Sequence, residues 1–224
     1  MNFDVSEYDH FSFDLWLTLI KSHPEYKPAR NRLFKEFFEI EKLEKQVSET
    51  IRYYDVLCNK ISETTGRHIY FAEIYLLILS ALGKDLDQIS QQRLDEFYSE
   101  TKFLFEKFPP LLISEKISDL FEKITSENKT ISILSNTAFI QGTELRNLLD
   151  YYNLSKYISF GLYSDETGLS KPNPKLFELM KESARKVNPR ENLRILHIGD
   201  NPKADFQGAV NSGINAYLFQ PNKN

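Results

Sequence analysis

A single cysteine, Cys58, stands among 224 residues, so no internal disulfide can brace the fold, and a lone thiol in such a chain reads as a small buried hydrophobe suited to a reducing cytoplasm. Glycine and proline are sparse, at 8 and 9, with no repeat and no low-complexity tract, which excludes collagen-like and disordered classes. Charge is nearly balanced, 28 basic against 32 acidic side chains, which gives no electrostatic reason to expect nucleic acid or an anionic membrane as partner. A small-molecule substrate is the expectation that remains. The apolar stretch at 69–82 contains Glu73 and is too short to span a bilayer, and the acidic start lacks the basic and apolar segments of a secretory signal. A cytoplasmic protein without membrane contact is therefore expected, as a monomer or homodimer.

Two kinds of pattern divide the chain. Between about 21 and 108, helical spacing prevails, as in Leu33, Phe34, Phe37, Phe38 and then Val47, Ile51, Tyr54, Cys58. The Thr64-Thr65-Gly66-Arg67 turn interrupts it, Gly83 reads as a helix stop, and Pro109-Pro110 closes it. Elsewhere short apolar runs at 10–13, 130–134, 157–162, 193–198 and 216–219 alternate with helical stretches at 116–127, 143–152, 174–187 and 204–211. That alternation predicts an α/β fold with a doubly wound parallel sheet, each strand buried on both faces. The expected organisation is a core of residues 1–20 and 111–224, with an all-helical cap inserted over 21–110. The uniformly apolar segment around Ile74–Leu79 reads as the centre of the helical bundle in preference to a partner surface.

Ligands of open α/β sheets bind where strands end at their carboxyl edge. There the sequence places Asp14-Leu15-Trp16-Leu17-Thr18, Ser135-Asn136, Lys171-Pro172-Asn173-Pro174, and Gly199-Asp200 with Asp205. Each cluster alone has an ordinary explanation as a turn, cap or solvated side chain. Together, at successive strand ends, they form a chemically coherent set. Asp14, Asp200 and Asp205 would repel one another without a cation or Lys171 to offset them, and a hard divalent ion suits such oxygen donors. Asp14 could then attack a phosphoryl group, with the Ser135 hydroxyl, the Asn136 backbone N–H and the Lys171 ammonium stabilising the charge that develops.

These four clusters resemble, in order, the motifs of the haloacid dehalogenase (HAD) superfamily. The resemblance implies a Rossmann-like core with a helical cap of the C1 type. It also implies Asp14 as nucleophile, magnesium held by Asp14, Asp200 and the Trp16 backbone carbonyl, and supporting roles for Thr18 and Asp205. The expected reaction is magnesium-dependent hydrolysis or transfer of phosphate from a small phosphorylated metabolite through an aspartyl-phosphate.

The chain departs from the family's phosphatases at Trp16, where a second aspartate usually serves as proton donor. An indole cannot exchange protons at neutral pH, and losing general acid–base help typically costs roughly 10²–10⁴ in rate. His23 and Glu25 are candidate substitutes from the start of the insert, though both read more simply as solvated hinge residues. Two alternatives follow: a metal-independent 2-haloacid dehalogenase, which needs no acid because halide leaves unprotonated, or a non-catalytic binding protein with Trp16 plugging the site. The acidic pair Asp200 and Asp205 favours the phosphoryl reading.

Overall fold

The computed structural model describes residues 3–220. A five-stranded sheet forms the centre, in the order β5-β4-β1-β6-β7, and every neighbouring pair is parallel. Its strands are β1 (His10–Phe13), β4 (Thr130–Ser135), β5 (Ile158–Tyr163), β6 (Ile195–Gly199) and β7 (Asn215–Leu218). A separate two-stranded antiparallel pair joins β2 (Ile20–Lys21) to β3 (Leu111–Leu112). This mixed α/β architecture is the one expected from the apolar runs.

Both faces of the sheet are covered, which is why β1, β4 and β6 are buried almost throughout. On one face Phe11, Phe13, Ile131 and Ile133 pack with residues of α5 (Ile117–Ser126) and α6 (Gly142–Tyr151). On the other, Leu134 packs with Leu176, Phe177 and Met180 of α7 (Pro174–Val187) and with Ala209 of the short α8 (Gly208–Asn211). α7 begins as its sequence dictates, with the Asn173 side chain accepting from the Lys175 N–H at 3.0 Å and Pro174 in the first turn.

Between β2 and β3 lie four helices, α1 (Tyr26–Phe37), α2 (Glu44–Thr65), α3 (Phe71–Ala81) and α4 (Gln91–Lys107). They bury a cluster of their own, including Phe34, Val47, Ile51, Cys58, Tyr75, Ile78 and Phe97. α3 is its centre, burying Ile74, Tyr75, Ile78 and Leu79. One member of this cluster comes from the sheet layer: Phe139, in the loop after β4.

The helical block also touches the sheet layer far from β2 and β3. Gly66, at the end of α2 with φ +68°, accepts at its carbonyl from Ser170 N at 3.0 Å and from Asn173 Nδ2 at 2.9 Å. Arg67 forms a backbone bridge to Leu169, and His68 N donates to the Gly168 carbonyl at 3.1 Å. A Cβ on Gly66 would meet that of Asn173 at 2.9 Å, so both the backbone angle and the close approach demand glycine. No helix of the described residues is long and apolar enough to cross a membrane.

Candidate functional site

Consecutive strands run outward from β1 on one side through β4 and β5, and on the other through β6 and β7, so the order reverses beside β1. A crevice opens at the carboxyl ends of strands at such a point. A cavity of about 380 Å³ lies there, lined by Asp14, Trp16, Asn136, Lys171, Asp200, Asn201 and Asp205 from the sheet layer. Its facing wall comes from the helical block, with Tyr26, Lys27 and Arg30 of α1 and Asp55, Asn59 and Glu63 of α2.

Asp14 extends the ladder beyond β1, its N–H donating to the Ile198 carbonyl at 2.8 Å. Its carboxylate is buried and held at both oxygens, by Lys171 Nζ on Oδ1 at 2.7 Å and by Thr18 Oγ1 on Oδ2 at 3.0 Å. Lys171, itself 1% exposed, also donates to Asp205 Oδ1 at 2.6 Å. Its backbone is clasped from both sides by the Asn136 amide, which accepts from Lys171 N at 2.7 Å and donates to Lys171 O at 3.0 Å. Asn136 was expected to offer only its backbone N–H, yet its side chain fixes the lysine loop.

Asp205 is fully committed. Besides Lys171 it takes His197 Nε2 at 3.1 Å on Oδ1 and the Asn201 N–H at 2.9 Å on Oδ2. It reaches this position because residues Pro202–Gln207 form a π-helical turn, a distortion often found at functional sites. Gly199 permits the approach, since a Cβ there would lie 2.2 Å from Asp205 Cγ. Behind Asp205, burial keeps His197 below its ordinary pKa and hence neutral. With a carboxylate on Nε2, its Nδ1 accepts from Ser12 Oγ at 2.9 Å. The sequence signal for His197 was a polar residue inside a buried strand, which must find partners.

The charges do not balance. Oxygens of Asp14, Asp200 and Asp205 all lie within 4.8 Å of one another, while Lys171 is the one cation bonded to any of them among the described residues, apart from the neutral His197. Burial, with Asp205 and Asp200 nearby, pushes the Asp14 carboxyl up to about 7 against the pull of Lys171. Burial and the Asp205 charge push Asp200 up to about 6. Burial would raise Asp205 too, but Lys171 and His197 hold it well below the carboxylate range. Asp14 and Asp200 thus carry the uncompensated repulsion, and their hard oxygen donors fit a small divalent cation.

The remaining sequence candidates fall less centrally. Ser135, at the end of β4, is fully buried, its hydroxyl donating to the Asn136 carbonyl at 3.3 Å, and it does not line the cavity. Trp16 does line it, in a turn where Leu17 adopts φ 60° and its N–H donates to the Ile20 carbonyl at 2.7 Å. His23 packs on Phe108 and accepts from the Glu25 N–H at 3.2 Å, and neither residue lines the cavity. Sequence reasoning missed the whole facing wall. Its one signal was Asp55, Asn59 and Glu63 at four-residue spacing on α2.

Comparison with known proteins agrees with this architecture. Pyrimidine 5'-nucleotidase YjjG of Escherichia coli is 33% identical over 87 residues, 39% of this chain and 36% of that protein. The chain matches only 36% and 38% of the lengths of its curated relatives. The magnesium-bound HAD-hydrolase YfnB of Bacillus subtilis superposes with a TM-score of 0.64 at 19% identity, covering 97% of this chain and 89% of that one. A 2-haloacid dehalogenase of Pseudomonas syringae gives 0.62 at 20% identity, covering 97% and 88%. The family model of haloacid dehalogenase-like hydrolases matches residues 8–213, so the chain belongs to that family of hydrolases.

Proposed function

We propose that this hydrolase is a magnesium-dependent phosphatase of small phosphorylated metabolites, working through an aspartyl-phosphate on Asp14. The observation that carries the reading is the cluster of Asp14, Asp200 and Asp205 around a cavity with one ammonium between them. Asp14, Asp200 and the Trp16 backbone carbonyl would hold the magnesium, and Asp205, its oxygens already engaged, would support Lys171. When bound, the ion supplies positive charge that lets an anionic carboxylate approach an anionic phosphoryl group.

In the first step one Asp14 oxygen attacks phosphorus, the phosphorus–ester oxygen bond breaks, and the alkoxide takes its proton from solvent on release, since Trp16 supplies none. Water then attacks the acyl phosphate, returning the carboxylate and inorganic phosphate. Lys171 and Thr18 keep the carboxylate plane fixed throughout, and Lys171 neutralises charge on the phosphoryl oxygens. Asn136 keeps Lys171 in place. Residues 21–110, as a cap domain over a core of 1–20 and 111–224, would exclude water during the first step. The nucleotidase activity in the name of YjjG supports phosphoryl chemistry.

Trp16 favours a second reading, carbon–halogen hydrolysis, because it removes the usual proton donor. The likeness to a dehalogenase shows only the shared fold, and an acidic pair beside Asp14 is needless without a cation. A panel of phosphate esters, acyl phosphates and 2-haloacids, each assayed with magnesium and with chelator, separates the readings. Chelator-sensitive phosphate release is expected. Metal-independent halide release would establish the second reading, and silence on every substrate would leave a binding protein. Trp16→Asp should raise turnover of an unactivated alkyl ester by roughly 10²-fold more than that of an aryl phosphate. Equal effects would show that Trp16 does not limit leaving-group protonation.

A further inference from the structure

Arg30 is a buried charge of the cavity that the phosphatase reading leaves unused. It sits on α1, 5% exposed, and lines the cavity. Its Nε and Nη2 donate to the Asn31 amide oxygen at 3.2 and 2.9 Å, and its guanidinium lies 4.4 Å above the centre of the Phe139 ring. Among the described residues no carboxylate pairs with it, and Nη1 has no hydrogen-bond partner. The acids of the same helical wall are otherwise engaged, Asp55 with Arg52 at 3.2 Å and with Asn59, and Glu63 with Asn201 at 2.6 Å.

A guanidinium cannot shed its charge to escape burial. Elsewhere in this fold the buried charges, Lys171 and Asp9, are met by opposite ones. At Arg30 the compensation is an amide and a ring face, and the residue lines the cavity. Lys27, one turn earlier on the same helix face, lines the cavity too, with an exposed side chain that has no acidic partner among the described residues. A neutral hydroxyl would leave this positive pair uncompensated, whereas a planar or tetrahedral anion matches the guanidinium fork.

We propose that Arg30, assisted by Lys27, is a subsite for a second anionic group. The substrate is then a small phosphate monoester that also carries a carboxylate or another phosphate. This rests on the phosphatase reading, which places the reacting phosphoryl group at Asp14 and Lys171, on the opposite wall.

The test compares phosphoglycolate with 2-hydroxyethyl phosphate, alike in size but differing in the second anion. Wild-type kcat/KM should favour phosphoglycolate by roughly ten- to a hundredfold, the range of one charge-assisted hydrogen-bonding contact. Arg30→Gln should bring the ratio to within about threefold, chiefly through KM, and Arg30→Lys should retain part of it. No preference in the wild type, or equal losses on both esters in Arg30→Gln, would overturn the subsite. A readout free of turnover uses Trp16, the chain's one tryptophan and a cavity residue. Its fluorescence should report phosphonoacetate binding that weakens in Arg30→Gln to the level of hydroxymethylphosphonate. Arg30-dependent binding without phosphate release from any ester would uphold the subsite and sink the phosphatase reading. Phosphate release without Arg30-dependent discrimination would do the reverse.

Discussion

The two walls of the cavity differ in how far their polar groups are already engaged. On the sheet side, Asp14, Lys171, Asn136 and Asp205 bond mostly to one another, at 2.6–3.0 Å. On the helical side Asp55, Asn59 and Glu63 are bonded, but the Nη1 edge of Arg30 has no partner and Lys27 is exposed to solvent. The difference matches the separate demands of reaction and recognition. Charge stabilisation works best when donors are fixed before the transition state forms, while selectivity comes from groups left unsatisfied until the right ligand arrives.

The most severe way to break this contrast is Asp14→Asn. If the sheet wall alone performs chemistry, phosphate release should fall by roughly 10⁴-fold or more on every substrate, with or without a second anion. Next in size, Lys171→Met leaves two buried carboxylates facing each other and should cost about 3–5 kcal/mol of stability in urea unfolding. A loss near zero would mean that Asp14 is neutral in the resting protein.

Magnesium sharpens the comparison further. At a hundredfold excess over its Kd it should stabilise the protein by about 2.7 kcal/mol, seen as a higher Tm and reversed by chelator. Asp200→Asn should abolish the effect and Arg30→Gln should leave it intact, because the proposed ligands all lie on the sheet wall.

The last effect, the smallest per unit of pH, concerns a buttress of that wall. His10 is enclosed, its ring bonded to Thr130 Oγ1 at 2.7 Å and Ser132 Oγ at 2.9 Å, and burial depresses its pKa from 6.5 to about 3. Below pH 6.5 the unfolded chain takes up a proton that the folded one refuses. Stability should therefore decline as pH falls from 6.5 towards 3, by up to about 1.4 kcal/mol per unit. Denaturant titrations between pH 7 and 4 should show a shallower slope for His10→Gln.

The sheet was legible because strands buried on both faces are largely apolar, and the polar residues His10, Ser12, Ser132 and His197 only interrupt those runs. The runs at 10–13, 130–134 and 193–198 differ from β1, β4 and β6 by no more than two residues at either end. The pair β2 and β3 was not legible, since two residues cannot display a period. Nor was the π-helical turn at Pro202–Gln207, where a helix from 204 was expected, because it goes with long-range bonds from Lys171 and His197 to Asp205 that local spacing cannot display. The helical wall was hidden for another reason. A polar helix face facing a cavity has the same spacing as one facing water, so Asp55, Asn59 and Glu63 announce a stripe but not its direction. Arg30 gave even less, since burial of a charge cannot be read from its neighbours.

Phe139 gives this arrangement a mechanical consequence. It belongs to the segment that begins at Asn136, yet its ring is buried in the apolar cluster of the helices, 5.1 Å from Tyr75 and beneath Arg30. Lifting the helices away would either strip that ring of its packing, at a cost of about 1.5–3 kcal/mol, or drag the segment along. Dragging it would loosen the Asn136 clasp and slacken Lys171 against Asp14. Admitting solvent and loosening the bonds that hold the Asp14 carboxylate would then be a single displacement.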